Sequence, residues 1–244
     1  MTMNIQVYPD TRALSMAAAQ LFVSLADEAI RSRGRFAVAL SGGNTPRGAY
    51  ELLSELAFRE QIQWEKVHVF FGDERCVPSD DPRSNLRMAR EALLDRVPLP
   101  PSQIHPIFCD TSPIESAARY EAILHDFFPE GSPRFDLVLL GMGEDGHTAS
   151  LFPGTTILDE SASWTAPVCP PSQELCRVTL TAPVINLAMA VVFLVSGDGK
   201  AATLRDVLEG PRDPHRLPAQ IIHPPDGQLL WLVDRAAARL LSQA

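Results

Sequence analysis

A carboxylate, Asp145, and a side chain able to move a proton near neutral pH, His147, close the run Phe135-Asp-Leu-Val-Leu-Leu-Gly-Met-Gly-Glu-Asp-Gly-His147. Histidine has an ordinary pKa that suits general acid–base work at pH 7. The run before it is apolar without alternation, as in a strand buried on both faces of a parallel sheet. Gly141, Gly143 and Gly146 then form a bend at the carboxyl end of that strand. Open α/β sheets hold their ligands at that edge. Glycines there let the backbone turn tightly and pass close to a bound molecule. A plainer reading of the same residues is a polar turn whose histidine caps a helix.

Three further loops carry candidate chemistry. Ser41, Gly42, Gly43, Asn44 and Thr45 lie between a strand and a helix, with Thr45 expected as N-cap and Pro46 at the first helical position. Backbone N–H groups freed by the glycines, together with the helix dipole, would attract an anion such as phosphate. A simple strand-to-helix turn is the competing reading. Ser196-Gly-Asp-Gly-Lys200 repeats the theme, and Lys200 opposes the dipole of the helix it opens unless an anion lies nearby. A solvated surface lysine would look the same. In Phe71-Gly-Asp-Glu-Arg-Cys-Val-Pro78, Asp73 and Arg75 follow a buried-looking strand and become site candidates, although three consecutive charges usually mark a solvated turn. Asn85, beside Ser84 at an expected helix start, either caps or binds.

The elements needed to position these loops alternate along the chain. Strands are expected at Asn4–Tyr8, Phe36–Leu40, Val67–Phe71, from Phe135, and at Arg177–Thr181, Ala190–Val195 and Leu229–Val233. Helices are expected at about Thr11–Arg33, Pro46–Leu56, Ser84–Leu94, Ile114–Phe127, Lys200–Leu208 and Arg235–Leu241. That order implies an α/β fold with a mainly parallel, doubly wound open sheet and helices on both faces, across one domain spanning 1–244. Proline-rich stretches such as Val97–Pro101 and Pro167–Pro171 read as loops.

Bulk properties narrow the function. A formal charge of −9 disfavours nucleic acid as a partner, yet it leaves room for a small anionic substrate held by a local cluster of donors. Cys76, Cys109, Cys169 and Cys176 show neither a C-x-x-C pair nor zinc spacing, so reduced thiols in a cytoplasmic protein are expected. No apolar run reads as long enough to span a membrane, and a signal peptide is not expected. The chain has no G-x-S-x-G elbow, P-loop or H-E-x-x-H. Gly141, Gly143 and Gly146 match the spacing of a dinucleotide loop, but His147 follows at once and no ribose-binding acid is in place. The remaining histidines, His68, His105, His125, His215 and His223, are scattered and read as structural or exposed.

Taken together, Leu40–Pro46, Gly72–Pro78 with Ser84-Asn85, Gly141–Pro153, Arg177–Thr181 and Gly197–Lys200 resemble the 6-phosphogluconolactonase family, a relative of glucosamine-6-phosphate isomerase/deaminase. The resemblance spans nearly the whole chain. It implies hydrolysis of 6-phospho-D-glucono-1,5-lactone in the oxidative pentose phosphate route, with no metal and no organic cofactor. By the same resemblance Ser41, Gly42, Gly43, Asn44, Thr45 and Lys200 would hold the sugar phosphate, with Arg177 a further candidate. His147 would be the general base with Asp145 beside it, and Arg75 would face the lactone, with Asp73 nearby. The partner is a small sugar-phosphate lactone, and monomer and small homo-oligomer both stay open.

The isomerase/deaminase is the nearest rival. That branch resembles Asp-Glu-Tyr where this chain has Asp73-Glu74-Arg75, and carries an Asn-Glu-Pro ending after the histidine where it has Ser150-Leu-Phe-Pro153. The rival's ring-opening glutamate is therefore missing. A sugar-phosphate sensor without catalysis is a third reading, for which no output segment is visible.

Overall fold

The computed structural model describes residues 4–128, 131–171 and 173–242. Its elements in chain order are β1 (Asn4–Tyr8), α1 (Thr11–Arg33), β2 (Phe36–Leu40), α2 (Asn44–Ser54), α3 (Leu56–Arg59), β3 (Val67–Phe71), β4 (Asp73–Arg75), α4 (Asn85–Ala89), α5 (Pro113–Phe127), β5 (Leu137–Leu140), β6 (Thr165–Val168), β7 (Arg177–Leu180), α6 (Ala182–Asn186), β8 (Ala190–Val195), α7 (Ala201–Glu209), β9 (Gln228–Asp234) and α8 (Arg235–Ala238). A π-helical turn, Arg90–Leu94, prolongs α4.

Six strands form one sheet in the order β1-β9-β8-β5-β2-β3, with every pairing parallel. Helices cover both faces, as the alternation of elements implies. Strands β2, β5 and β8 are buried at every position. Layers on both sides explain why their sequences are apolar throughout rather than alternating. Edge strand β1 tolerates exposed Asn4, Gln6 and Val7 instead. Inside the sheet Phe193 stacks on Trp231 with ring centroids 3.8 Å apart. Each such buried aromatic contributes roughly 1.5–3 kcal/mol through area removed from water.

The order in which strands join the sheet reverses between β2 and β5, since β3 lies on one side of that seam and β8 and β9 on the other. The seam itself is short, pairing only Val38 with Leu137 and Ala39 with Val138. Asp136 extends it. Its buried carboxylate accepts the Ala37 N–H at 2.7 Å, its own N–H donates to the Ala37 carbonyl at 2.9 Å, and Arg33 pairs with it at 2.7 Å.

Helix α1 starts where Asp10 accepts the Ala13 N–H and ends where Gly34, at φ 78°, donates to the Ile30 carbonyl. Leu14, Ala18, Ala19, Phe22, Ala26, Ala29 and Ile30 form its buried stripe. Contrary to the expectation from sequence, this helix is long and apolar enough to cross a membrane by length and composition. Its apolar residues are six alanines interspersed with seven larger side chains, and they are interrupted by Ser15, Gln20 and Ser24, so they do not read as one unbroken span. The stripe is part of the hydrophobic core, with Phe22 edge-on to Phe36 at 5.2 Å.

Three expectations need correction. Arg177–Leu180 belongs not to the parallel sheet but to the middle of a second, antiparallel sheet ordered β4-β7-β6. Its outer strands escape sequence reading because β4 is three charged residues and β6 contains Pro167, which only an edge strand accepts. The four cysteines are paired rather than free, Cys76 with Cys109 and Cys169 with Cys176. Cys169 and Cys176 follow and precede the register partners Val168 and Arg177, so an unrecognised β6 concealed their pairing. Cys76 and Cys109 are 33 residues apart in sequence and meet only through tertiary structure, with Cα atoms 4.9 Å apart. Finally, α2 begins at Asn44 with Gly43 as N-cap, so Thr45 and Pro46 lie inside its first turn.

His68 and His105 face each other with ring nitrogens 3.3 Å apart, and His105 also stacks on Phe70 at 4.3 Å. Burial, aided by the charge of Arg35, lowers the pKa of His68, while burial and His68 lower that of His105 to about 4. A histidine in the unfolded chain takes its proton near pH 6.5, so between that value and 4 the unfolded state binds more protons. The pair's contribution is therefore complete above about pH 6.5 and is lost as pH falls toward 4. Between pH 7 and pH 5, the wild-type Tm should fall at least about 2–4 °C further than that of His105→Phe, the shift for about 1 kcal/mol at this chain length. Parallel melting curves for the two proteins would exclude the pair as an acid-sensitive element.

Candidate active site

The carboxyl ends of β2, β5 and β8, with the segment after β3, surround a cleft of about 430 Å³. It lies beside the β2/β5 reversal, where an open sheet parts its loops and leaves a crevice. Ser41 to Pro46, Asp73, Arg75, Asn85, Gly141 to Gly143, His147 to Ala149, Ser196 and Lys200 line it. The fold thus brings together ten of the eleven residues singled out from sequence that bear on catalysis or phosphate, counting Ser41 through Thr45, Asp73, Arg75, His147 and Lys200 on the wall and Asp145 against His147. Arg177 is the exception.

Asp145 Oδ1 lies 2.5 Å from His147 Nδ1 and also accepts the His147 backbone N–H at 3.1 Å. Burial alone would raise the Asp145 pKa, but the hydrogen bond and charge of His147 outweigh it and hold the carboxyl below its ordinary value. An ionised carboxylate on Nδ1 fixes the imidazole so that Nε2 is the nitrogen free to take a proton. The bend is closed by Gly143 N–H to the His147 carbonyl at 2.8 Å and by Thr148 Oγ1 to the Gly141 carbonyl at 2.8 Å. Ala149 sits on the cleft wall at φ 45°, a left-handed backbone conformation that costs a non-glycine residue about 1 kcal/mol or more. Its neighbour Ser150 anchors the turn, donating from Oγ to Asp73 Oδ2 at 2.7 Å and from N–H to Thr179 Oγ1 at 3.2 Å.

Opposite this bend stands the start of α2. Helices α1, α4, α5 and α8 each carry a side-chain cap, from Asp10, Ser84, Ser112 and Asp234. Among the described residues no side chain caps α2, whose N-cap is Gly43 at φ 104°. Its first-turn N–H groups therefore face the cleft wall without a built-in acceptor, the arrangement that suits an anion. Thr45 Oγ1 and Ser196 Oγ are hydrogen-bonded at 2.7 Å, which ties the two glycine loops together. Lys200 is the N-cap of α7 and lines the same wall. Asp234, buried at the end of β9, receives the Gly197 N–H at 3.1 Å and the Thr11 hydroxyl at 3.0 Å, so it fixes where the Lys200 loop leaves the sheet.

The charged run after β3 is a scaffold as much as a site. Glu74 turns inward and accepts from Arg75 N–H, Ser84 Oγ, Asn85 N–H and Leu86 N–H at 2.7–2.9 Å, clamping the start of α4. Asn85 is consequently not the cap, a role taken by Ser84. Its side chain donates to the Asp73 carbonyl at 2.9 Å and to Asp73 Oδ1 at 3.3 Å. Arg75 reaches the cleft with Nη1 held by the Arg83 carbonyl at 2.7 Å. Arg177, its register partner in β7, is instead spent on Leu175 O, Gln173 Oε1 and the ring of Phe152. Burial, opposed by Asp73 and aided by Arg75, leaves the Arg177 guanidinium below its ordinary pKa. Sequence reasoning overlooked Ser196, Glu74, Ser150 and Asp234. Ser196 alone had a local signal, heading the Gly197–Gly199 loop at a strand end.

Two glycines serve side chains rather than backbone rotation. A Cβ on Gly143 would overlap the His147 ring and Asp145 Oδ1, and one on Gly42 would overlap the Asn85 amide. Gly143→Ala should therefore displace the Asp145–His147 pair while leaving the core untouched. Turnover is expected to drop about 10²-fold, the loss typical of a misplaced catalytic group, with far-UV circular dichroism and Tm near wild type. Wild-type turnover in a folded Gly143→Ala protein would show that the pair's geometry is not critical.

Comparison with known proteins gives the chain its relatives. The family model described as glucosamine-6-phosphate isomerases/6-phosphogluconolactonase matches residues 9–231. A 6-phosphogluconolactonase of a Nostoc species is 42% identical, over 99% of this chain and 100% of that protein. The 6-phosphogluconolactonase of Homo sapiens is 40% identical, over 98% of this chain and 93% of its own length. The structure of 6-phosphogluconolactonase from Trypanosoma cruzi superposes with a TM-score of 0.87 at 30% identity, covering 99% of this chain and 97% of that one. With the fold, the motif loops and the full-length similarity in accord, the chain belongs to the glucosamine-6-phosphate isomerase/6-phosphogluconolactonase family.

Proposed function

We propose that this chain hydrolyses 6-phospho-D-glucono-1,5-lactone to 6-phospho-D-gluconate without a metal, with His147 as general base. The observation that carries the proposal is the 2.5 Å Asp145–His147 pair on the wall of a cleft whose other side is the uncapped start of α2 with Lys200. Relatives named 6-phosphogluconolactonase at 42% and 40% identity support the choice of substrate.

The chemistry asks for little beyond these groups. A lactone is an activated ester, so water can attack its carbonyl carbon directly once a base removes a proton. Nε2 of His147 takes that proton while Asp145 stabilises the imidazolium through Nδ1. Negative charge gathers on the carbonyl oxygen of the tetrahedral intermediate, where the Arg75 guanidinium is the nearby countercharge. Collapse breaks the bond from carbonyl carbon to ring oxygen, and His147 returns its proton to that oxygen. The product is an open-chain acid that ionises to 6-phosphogluconate. Thr45, Ser196, Lys200 and the first N–H groups of α2 hold the phosphate and thereby set the carbonyl in front of His147. Asp73, kept in place by Ser150 and Asn85, offsets the positive charge of Arg177.

The isomerase/deaminase reading loses its ground at Phe152, where a buried aromatic ring, not a carboxylate, lies against His147.

Freshly generated lactone, with product reported by excess 6-phosphogluconate dehydrogenase, tests the proposal against spontaneous opening. His147→Ala should lose about 10²–10⁴ of the acceleration, the usual contribution of a positioned base. A variant as fast as wild type would remove His147 from the mechanism, and a wild type no faster than buffer would remove the lactonase. Lys200→Ala should raise KM for the phosphorylated lactone roughly 10- to 150-fold, as loss of a charged hydrogen bond of about 1.5–3 kcal/mol implies. Its activity on unphosphorylated gluconolactone should stay constant. Equal loss on both substrates would place Lys200 away from the phosphate.

A further inference from the structure

Phe152 is buried, with 2% of its surface accessible, yet it stands outside the continuous hydrophobic core that takes in its neighbour Leu151. Its ring meets polar partners instead. The His147 imidazole stacks on it with centroids 4.4 Å apart and planes 29° apart, and the Arg177 guanidinium carbon lies over the same ring 5.0 Å from its centroid. Phe152 is also fastened through its backbone, for its carbonyl accepts the Thr155 hydroxyl at 2.7 Å and the preceding Leu151 N–H donates to the Thr148 carbonyl at 2.9 Å. His147 lines the cleft, and Phe152 does not.

We infer that Phe152 is a positioning residue for His147, an aromatic backstop that sets the plane of the imidazole and is itself held by Arg177. The inference rests on the lactonase reading for its kinetic consequence. Asp145 anchors the ring at one atom, Nδ1, and a single hydrogen bond leaves the ring free to swing about that point. A flat surface stacked on the ring removes the swing, so Nε2 points in one direction. Proton abstraction requires Nε2 within about 2.6–3.2 Å of the water it activates, which makes that direction count. An apolar filler would place Phe152 among leucines and valines, and no functional histidine would need to lie flat against it. Arg177 then has a purpose that explains its absence from the cleft wall. Its cation lies over the Phe152 ring, an attraction to the negative face of the aromatic system that is stronger when shielded from water.

Phe152→Leu keeps apolar bulk but removes the aromatic face, and Phe152→Tyr restores it. Turnover of the phosphorylated lactone by Phe152→Leu should fall about tenfold with KM within about twofold, because substrate still binds while the base is misaligned. Phe152→Tyr should recover turnover to within about threefold of wild type. By NMR, the His147 ring proton resonance, identified by its loss in His147→Asn, should move downfield in Phe152→Leu as the ring current disappears, and should stay near its wild-type position in Phe152→Tyr. Unchanged turnover and an unmoved resonance in a folded Phe152→Leu would reduce Phe152 to a space filler. A rise in KM matching the loss in both variants would make it a binding residue and overturn the inference. If wild type showed no lactonase activity, that reading alone would fall, since the resonance tests the stack without substrate.

Discussion

The two halves of the cleft are joined by a seam only two residue pairs long, Val38 with Leu137 and Ala39 with Val138. The Ser41–Thr45 loop leaves from one side of this seam and the Gly141–His147 bend from the other. Any slip between β2 and β5 would shift His147 relative to the uncapped start of α2, since a one-residue change of register turns every side chain over. Asp136 guards against that slip. Its carboxylate and backbone add two more hydrogen bonds to Ala37, and Arg33 on α1 neutralises its buried charge. A short ladder thus gains the fixity of a longer one, at the end of the strands away from the cleft.

Much of this architecture followed from pattern. Unbroken apolar runs marked β2, β5 and β8, and helical spacing marked α1 and α5, because layers on both faces impose those patterns directly. The site loops could be read because each combines glycine with a polar or charged residue at a strand end. What escaped is what depends on distant partners. Asp73-Glu74-Arg75 has the composition of a solvated turn, and only the company of β7 makes it a strand. Glu74 looks exposed in sequence, yet it is buried because four donors converge on it from Arg75, Ser84, Asn85 and Leu86. The disulfides belong to the same class, for neither partner of Cys76 and Cys109 announces the other.

Within the cleft, close approach does the work that reach does elsewhere. Gly143 lets the Asp145–His147 pair sit against the backbone of its own bend, and Gly42 lets the Asn85 amide sit against the neighbouring loop. Polar side chains on the cleft wall are in turn held by others that lie off it. Ser150 steadies Asp73, Glu74 steadies Asn85, and Asp234 steadies the loop that carries Lys200. Pre-positioning of this kind removes the entropy of aligning groups at the moment of reaction, which suits a substrate needing orientation more than activation.

The long apolar helix α1 has a consequence for how the protein is made. Its buried stripe needs the sheet beside it, and β1, just ahead of it, pairs with β9 from Asn4–Leu230 to Tyr8–Asp234. On a ribosome α1 emerges early, while β9 is still about 200 residues away, which at typical elongation rates means roughly 10–40 s. Throughout that interval a helix with the length and apolarity of a membrane span has α2 and β2 to pack on but lacks the cover that β9 supplies. The packing of α1 is therefore completed only when β9, late in the chain, takes its place between β1 and β8.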